Sequence, residues 1–329
     1  MVEVRLKDVS KRFGSFQALR RVSFTAPRSR ITAVLGPSGC GKTTTLRIIA
    51  GLEKADSGRV LFDGEDVSEL EARKRGVGMI FQSLALFPTM KVVENVMFGL
   101  MVRGTPREEA RREAMSLLRM MGLERSADKY PYQLSWGEKQ RVAIARAIAP
   151  KPRILLLDEP FSNLDPPLRE KLLWEMKDLQ REFGITLIHV THDQEEAFAL
   201  ADHVVLMDNG IVLTEGDPEK VMRDPGCEKV ARFLGANVLE LPGHFLGIER
   251  DRVRIFFYPE EVREGGPIRG RVVGYLFSRR GYRTRVQVEG RVVEIVLRRR
   301  RREGDFVSFL PVRWGVLDEG RSGRLHPDN

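Results

Sequence analysis

"ITAVLGPSGCGKTTTLRIIAGL", Ile31 to Leu52, decides how the chain folds. Ile31–Leu35 is a compact apolar run and reads as a short buried strand. A glycine-rich turn follows, then a helical run that Gly51 can cap in the left-handed conformation. Between the two, Gly36-x-x-x-x-Gly41-Lys42-Thr43 has both the residues and the flanks of a phosphate-binding P-loop. Its glycines let the main chain wrap phosphates. Gly36, Pro37, Ser38, Gly39, Cys40, Gly41 and Thr44 are expected to surround them, with successive N–H groups as donors. Lys42 is expected to reach the β- and γ-phosphates, and the Thr43 hydroxyl to ligate Mg²⁺. Cys40 reads as a small tolerated residue, not a nucleophile.

A second pattern supports the first. Leu155-Leu156-Leu157-Asp158-Glu159 is an apolar strand delivering two carboxylates at its carboxyl end, where ligands of open α/β sheets sit. Asp158 suits a Mg²⁺ shell. Glu159 is placed to orient or deprotonate a water attacking the γ-phosphate. Strands ending in acids are common. About 115 residues after a phosphate loop, the pattern gains meaning.

The rest of the chain fits an α/β protein with an all-β tail. Residues 1 to about 35 alternate like strands, and "GRVLFDGEDV" reads as a hairpin turning at Asp63-Gly64. Residues 83–134 are helical in character, with Ala110, Ala114, Leu117, Leu118 and Met121 on one face. "RILLLDEP" and "ITLIHVTHD" are strands separated by a helix from about Pro167 to Phe183, which implies a parallel sheet covered by helices. Asn209-Gly210 turns another hairpin. After about Gly235, short strands and glycine-rich turns predict a small barrel. The expected division is therefore 1–235 and 236–329.

Taken together, the motifs resemble the ATP-binding subunit of an ABC transporter. "LSWGEKQ", from Leu134, resembles the family signature Leu-Ser-Gly-Gly-Gln, with Trp136 and Glu138 replacing a glycine and the glutamine. Gln82 matches the Q-loop glutamine, Asp165 in "SNLD" the D-loop, and His192 the switch histidine. Phe13 occupies the aromatic position that stacks on adenine. The resemblance implies a P-loop ATPase: a mixed-sheet core, an antiparallel β subdomain and a helical subdomain over 83–134. It makes Lys42, Gln82, Glu159 and His192 catalytic, and Thr43, Gln82 and Asp158 metal ligands. It implies a head-to-tail homodimer in which Ser135, Trp136, Gly137 and Glu138 act in trans on the partner's ATP. Trp136 keeps the main-chain donor, at a cost only if that position needs φ > 0. Glu138 places a negative charge close to the phosphates. The helical segment resembles the region that receives the coupling helix of a membrane permease.

The tail resembles the OB-like TOBE domains of importer ATPases, with Tyr258 in place of the arginine of their Arg-Pro-Glu element. This points to a polyamine, ferric-iron, sulfate or other oxyanion importer fed by an extracytoplasmic solute-binding protein. A sugar importer is the alternative, as is a soluble ABC-type ATPase acting on nucleic acid or ribosomes. The chain lacks the long heptads and tandem cassettes of that last class, so nucleic acid is not expected as a partner.

Composition agrees. No apolar run approaches the ~18 residues needed to span a membrane, and the charged start lacks the apolar stretch of a signal peptide. A peripheral place on the cytoplasmic face of the cell membrane is expected. The net charge is +9. From Ala236 onward stand 19 arginines, no lysine and 13 acidic residues, so this end is markedly basic. Arg298–Arg302 reads as a solvated strand end or a headgroup site. Tyr275, Phe277 and Tyr282 are expected to fill the barrel rather than stack on bases.

Overall fold

In the computed structural model, which describes residues 1–162 and 164–317, the chain separates into units Met1–Pro218 and Glu219–Asn329. The first unit runs β1 (Val4–Phe13), β2 (Phe16–Ala26), β3 (Ile31–Leu35), α1 (Lys42–Ala50), β4 (Ser57–Phe62), β5 (Glu65–Asp66) and β6 (Val77–Ile80). It continues through α2 (Val92–Val102), α3 (Arg107–Met120), α4 (Trp136–Ile148), β7 (Ile154–Asp158), α5 (Pro166–Phe183) and β8 (Thr186–Thr191). It closes with α6 (Gln194–Leu200), β9 (His203–Asp208) and β10 (Ile211–Gly216).

Six strands form the central sheet, in the order β10-β9-β3-β8-β7-β6. All are parallel except β10, which the hairpin at Asn209-Gly210 returns antiparallel to β9. β3, β7 and β8 are buried along their whole length, as parallel strands covered on both faces must be. A second, antiparallel sheet runs β2-β1-β4-β5. Helix α1 shares one core with both sheets: Leu6 and Phe62 meet Leu46 and Ile49, and Leu156 and Ile188 close it from the central sheet. The expected helical segment is α2 and α3. Ala110, Ala114 and Leu118 bury one face of α3 against Val93 and Val96 of α2 and Val142 of α4, while Leu117 and Met121 are half-buried at its margin.

In the second unit, α7 (Pro218–Arg223) and α8 (Glu228–Phe233) precede β11 (Asn237–Pro242), β12 (Arg252–Phe257) and β13 (Val262–Ser278). Then come β14 (Gly281–Val288), β15 (Arg291–Leu297), β16 (Phe306–Pro311) and β17 (Gly315–Val316). The unit starts before the expected boundary at 235 because α8 belongs with it: Ala231 packs with Val238, Phe256 and Leu317. The expected barrel takes the form of two antiparallel sheets, β11-β12-β17 and β15-β14-β13-β16, enclosing one core around Phe257, Ile268, Val286 and Phe309. Tyr258 is partly buried and donates to the Met222 carbonyl at 3.0 Å; burial pushes its pKa up to about 12. Phe277 departs from expectation. At the tip of the β13–β14 hairpin it is 76% exposed, while Tyr275 and Tyr282 are half-buried. Within 298–302, Arg300 lies over the Tyr275 ring and Arg301 pairs with Glu264.

One buried cation fastens α1. Arg75 donates to the carbonyls of Ile48 and Ile49 at the helix end, and to those of Leu70 and Ser68. Its guanidinium lies so close to Gly51 that a Cβ there would stand 2.7 Å from Nε. Arg75→Met leaves all four carbonyls without this donor. Hydrogen bonds from charged donors contribute about 1.5–3 kcal/mol each, and partial rescue by water leaves an expected loss of about 3 kcal/mol or more in the first unit. Urea unfolding followed by a probe in that unit checks this; an unchanged midpoint refutes it.

Candidate nucleotide site

β3 ends at Leu35, and the loop that follows turns back onto the start of α1. Gly36 has no room for a side chain: a Cβ would lie 2.2 Å from the Met207 carbonyl oxygen. Gly41 has φ +106°, and a Cβ there would lie 2.7 Å from the Ala18 carbonyl oxygen. Only glycine satisfies both positions. The loop thereby leaves the first turn of α1 open, where helix N–H groups and the dipole favour an anion. Lys42 is folded over the loop, its ammonium donating to the carbonyls of Gly36 at 2.8 Å and Pro37 at 3.0 Å.

A cleft of about 430 Å³ opens above. Its walls are Phe16, Ala18, Ser38, Gly39, Gly41, Lys42, Thr43, Thr44, Gln82 and Glu159. Most of the expected residues therefore meet there. Gly36, Pro37 and Cys40 are not among the walls; the Cys40 side chain is buried in the core, and burial pushes the thiol pKa up. Phe13 is exposed and stands under Lys11, outside the cleft walls. Phe16, its partner across the β1–β2 turn, is the aromatic that lines the cleft. Sequence reasoning missed it. The available signal was a second phenylalanine directly opposite the first across a two-residue turn.

The carboxylates arrive from the neighbouring strands. Thr43 donates its hydroxyl to Asp158 Oδ1 at 2.9 Å. Asp158 is buried, and desolvation raises its pKa against the opposing Thr43 hydrogen bond; the nearby Glu159 charge adds to the rise. Glu159 follows with φ +46°, an unusual conformation for a glutamate, while its N–H donates to the Val190 carbonyl at 3.1 Å. Such backbone strain is found at functional sites. Glu159 Oε2 lies 3.1 Å from Nδ1 of His192, whose ring is half-exposed. Asp158 and His192 are not themselves among the cleft walls, but each is bonded to a residue that is, Thr43 and Glu159, so phosphate donors, hard oxygens and an imidazole gather at one cleft. This set can carry out phosphoryl transfer to water.

The signature segment lies outside those walls. Ser135 caps α4, and Trp136 is the first helical residue, with no left-handed φ for a glycine to relieve. Gly137 is buried, and a Cβ there would lie 3.3 Å from Leu168. Glu138 closes a capping box: its Oε2 accepts from Ser135 N–H at 2.9 Å and from the Ser135 hydroxyl at 2.8 Å. Those bonds hold its pKa below the ordinary carboxylate range. Asp165 caps α5, accepting from Leu168 N–H at 3.4 Å.

Comparison with known proteins agrees with this geometry. Residues 19–162 match the family model described as ABC transporter. The chain is 47% identical over 238 residues to the spermidine/putrescine import ATP-binding protein PotA of Haemophilus influenzae, covering 72% of this chain and 64% of that one. It is 45% identical over 232 residues to the Fe(3+) ions import ATP-binding protein FbpC of Escherichia coli K12, covering 70% and 67%. The solved dimer of MJ0796, a bacterial ABC transporter cassette, superposes with a TM-score of 0.60 at 34% identity, over 65% of this chain and 98% of that one. The chain belongs to the ABC transporter family. It is one of the family's ATP-binding cassettes, and no helix among its described residues is long and apolar enough to cross a membrane.

The buried Asp158 gives the cassette a testable pH dependence. A carboxyl whose folded-state pKa is raised above its unfolded value costs stability when ionised. That penalty is full above the raised pKa and vanishes below the ordinary carboxylate range. Asp158→Asn keeps the Thr43 hydrogen bond and removes the buried charge. It is expected to raise the Tm of the nucleotide-free cassette at neutral pH, with the difference closing in acid. Scanning calorimetry at several pH values tests this; a lower Tm at neutral pH contradicts it.

Proposed function

We propose that the chain is the ATP-hydrolysing subunit of a prokaryotic ABC importer, working as a head-to-tail homodimer on the cytoplasmic face of the membrane. The first unit forms the ATPase, and the strands after residue 235 form a TOBE-like domain to which α8 belongs. The convergence of Lys42, the Thr43–Asp158 pair and the Glu159–His192 pair on one cleft carries this reading. The names of the relatives make polyamines or ferric iron the candidate solutes.

Mg²⁺ fits the donor set, because Thr43, Asp158 and Gln82 offer hard oxygen ligands only. Bound there, it would neutralise phosphate charge. Lys42 exchanges its two carbonyl partners for phosphate oxygens. Phe13 and Phe16 provide aromatic surface for adenine. Glu159 Oε2 takes the proton of the attacking water, and His192 holds that carboxylate in place. The partner's Ser135 and Gly137 close over the γ-phosphate, and Asp165 orders the interface. Closure then biases the permease between two states. A groove of about 470 Å³ walled by Phe81, Phe87, Phe98, Arg146 and Pro150 suits the permease's coupling helix.

Glu159→Gln tests the reading. It is expected to bind ATP, lose at least about 10²-fold in turnover, and accumulate as an ATP-bound dimer on size exclusion. Near-normal turnover removes Glu159 from the role of base. Trp136→Gly is expected to leave turnover within about threefold, since the position is already helical. A hundredfold rise would mean that the tryptophan impairs this half-site. Reconstitution with permease and solute-binding protein, comparing polyamines with ferric iron as stimulants of ATP hydrolysis, identifies the solute.

A further inference from the structure

Two loops leave the carboxyl edge of the central sheet beside the cleft. One follows Glu159 and leads through Leu164 and Asp165 into α5. The other carries His192 and leads through Asp193 into α6. A single side chain holds both. Arg169, in the first turn of α5, donates from Nη1 to Asp193 Oδ2 at 2.6 Å and from Nη2 to the Leu164 carbonyl at 3.3 Å. The ion pair is about three-quarters buried on each side, so water screens it only in part. Asp193 is itself fixed: its N–H donates to Thr191 Oγ1, and its Oδ1 accepts from Glu196 N–H to cap α6. His192 thus sits between two anchored residues, and one of those anchors is gripped from α5.

We propose that Arg169 is a positioning residue that sets His192 against Glu159 and transmits to it the position of the Asp165 loop. The inference rests on the ATPase reading above and concerns its regulation. Leu164 immediately precedes Asp165, the residue assigned to the interface with the second copy. Asp193 immediately follows His192. A displacement of the first loop on docking therefore acts, through one rigid planar fork, on the carboxylate next to the switch histidine. Arginine suits this task because its guanidinium grips two acceptors in a fixed geometry, whereas a lysine ammonium is a point charge. The fold does not need Arg169 to bring the segments together. Behind it, the ring of His189 lies 5.6 Å from that of Phe161, and His189 Nε2 lies 2.5 Å from Glu196 Oε1. Arg169→Met should accordingly fold.

The test uses the full chain. The ring nitrogens of His192 are observed by ¹⁵N NMR and assigned by their loss in His192→Gln. In Arg169→Met they are expected to shift, while those of His203, paired with Glu215 elsewhere, stay in place. Misplacing a catalytic group by a fraction of an ångström costs an order of magnitude or more, so turnover should fall about tenfold or more with KM for ATP within about twofold. Arg169→Lys, which keeps one contact, should fall between. Unmoved His192 resonances, or a rise in KM with unchanged kcat, overturn the proposal. Wild type and Glu159→Gln separate the two levels. If wild type hydrolyses no ATP, the ATPase reading fails; near-normal turnover of Glu159→Gln removes only Glu159 from the role of base. If Glu159→Gln is inactive while Arg169→Met turns over and resonates like wild type, only the role of Arg169 fails.

Discussion

Parallel register is the constraint on which the site depends. Leu35 of β3 pairs with Thr191 of β8, and Val190 of β8 pairs with Asp158 of β7. Three consecutive strands of one sheet therefore end at nearly the same height. The phosphate loop, Glu159 and His192 are the first residues beyond those ends, so they emerge together although over 150 positions separate the first from the last. A slip of one residue in any strand would turn its side chains to the opposite face. The buried apolar runs that make β3, β7 and β8 interior strands are thus also what aligns the chemistry. Thr43 reaches past β8 to Asp158 on β7 and locks α1 to that alignment.

The same edge concentrates what the fold would otherwise avoid. Asp158 and Lys42 are nearly buried, and Glu159 holds a left-handed backbone. None of these favours stability. They persist because α1 is held on every side: by the shared core beneath it, by Gly36 and Gly41 at its entry, and by Arg75 at its exit. A rigid scaffold offsets a few strained and charged positions, and those positions then need little rearrangement to meet a phosphate.

How much of this was legible in sequence depended on whether a residue's role was local. The phosphate loop, the acidic strand end and the two Asx-Gly hairpins carry their reasons in adjacent residues, and each formed where expected. Helix α5 starts one residue before the expected Pro167, while Ser135 and Asp165, expected only as interface residues, also cap α4 and α5. Arg75, Phe16 and Arg169 were not legible. A buried arginine looks like any surface arginine until the carbonyls it serves, 27 positions away at Ile48, are brought to it. The start of the second unit was likewise hidden, because α8 is short and polar outward, and only Phe256 and Leu317 show which core it joins. Phe277 was misjudged because alternation predicts facing within a sheet, not whether a hairpin extends beyond it.

The departures at Trp136 and Glu138 differ in kind. Trp136 begins a helix, where a glycine's extra freedom has no use, so the substitution changes surface more than backbone. Glu138 changes the electrostatics. An acid three residues past the cap is favoured by the helix dipole and by the two donors of Ser135, and it takes both of them. In the proposed sandwich, a γ-phosphate seeking the Ser135 hydroxyl meets a carboxylate already holding it. A glutamine at that position could hold the serine without the charge. In that proposed sandwich, the capping that stabilises α4 in the single chain would compete with closure of the dimer. Closure would have to release the hydroxyl from one anion before a second could take it, a demand that a neutral glutamine at this position would not make.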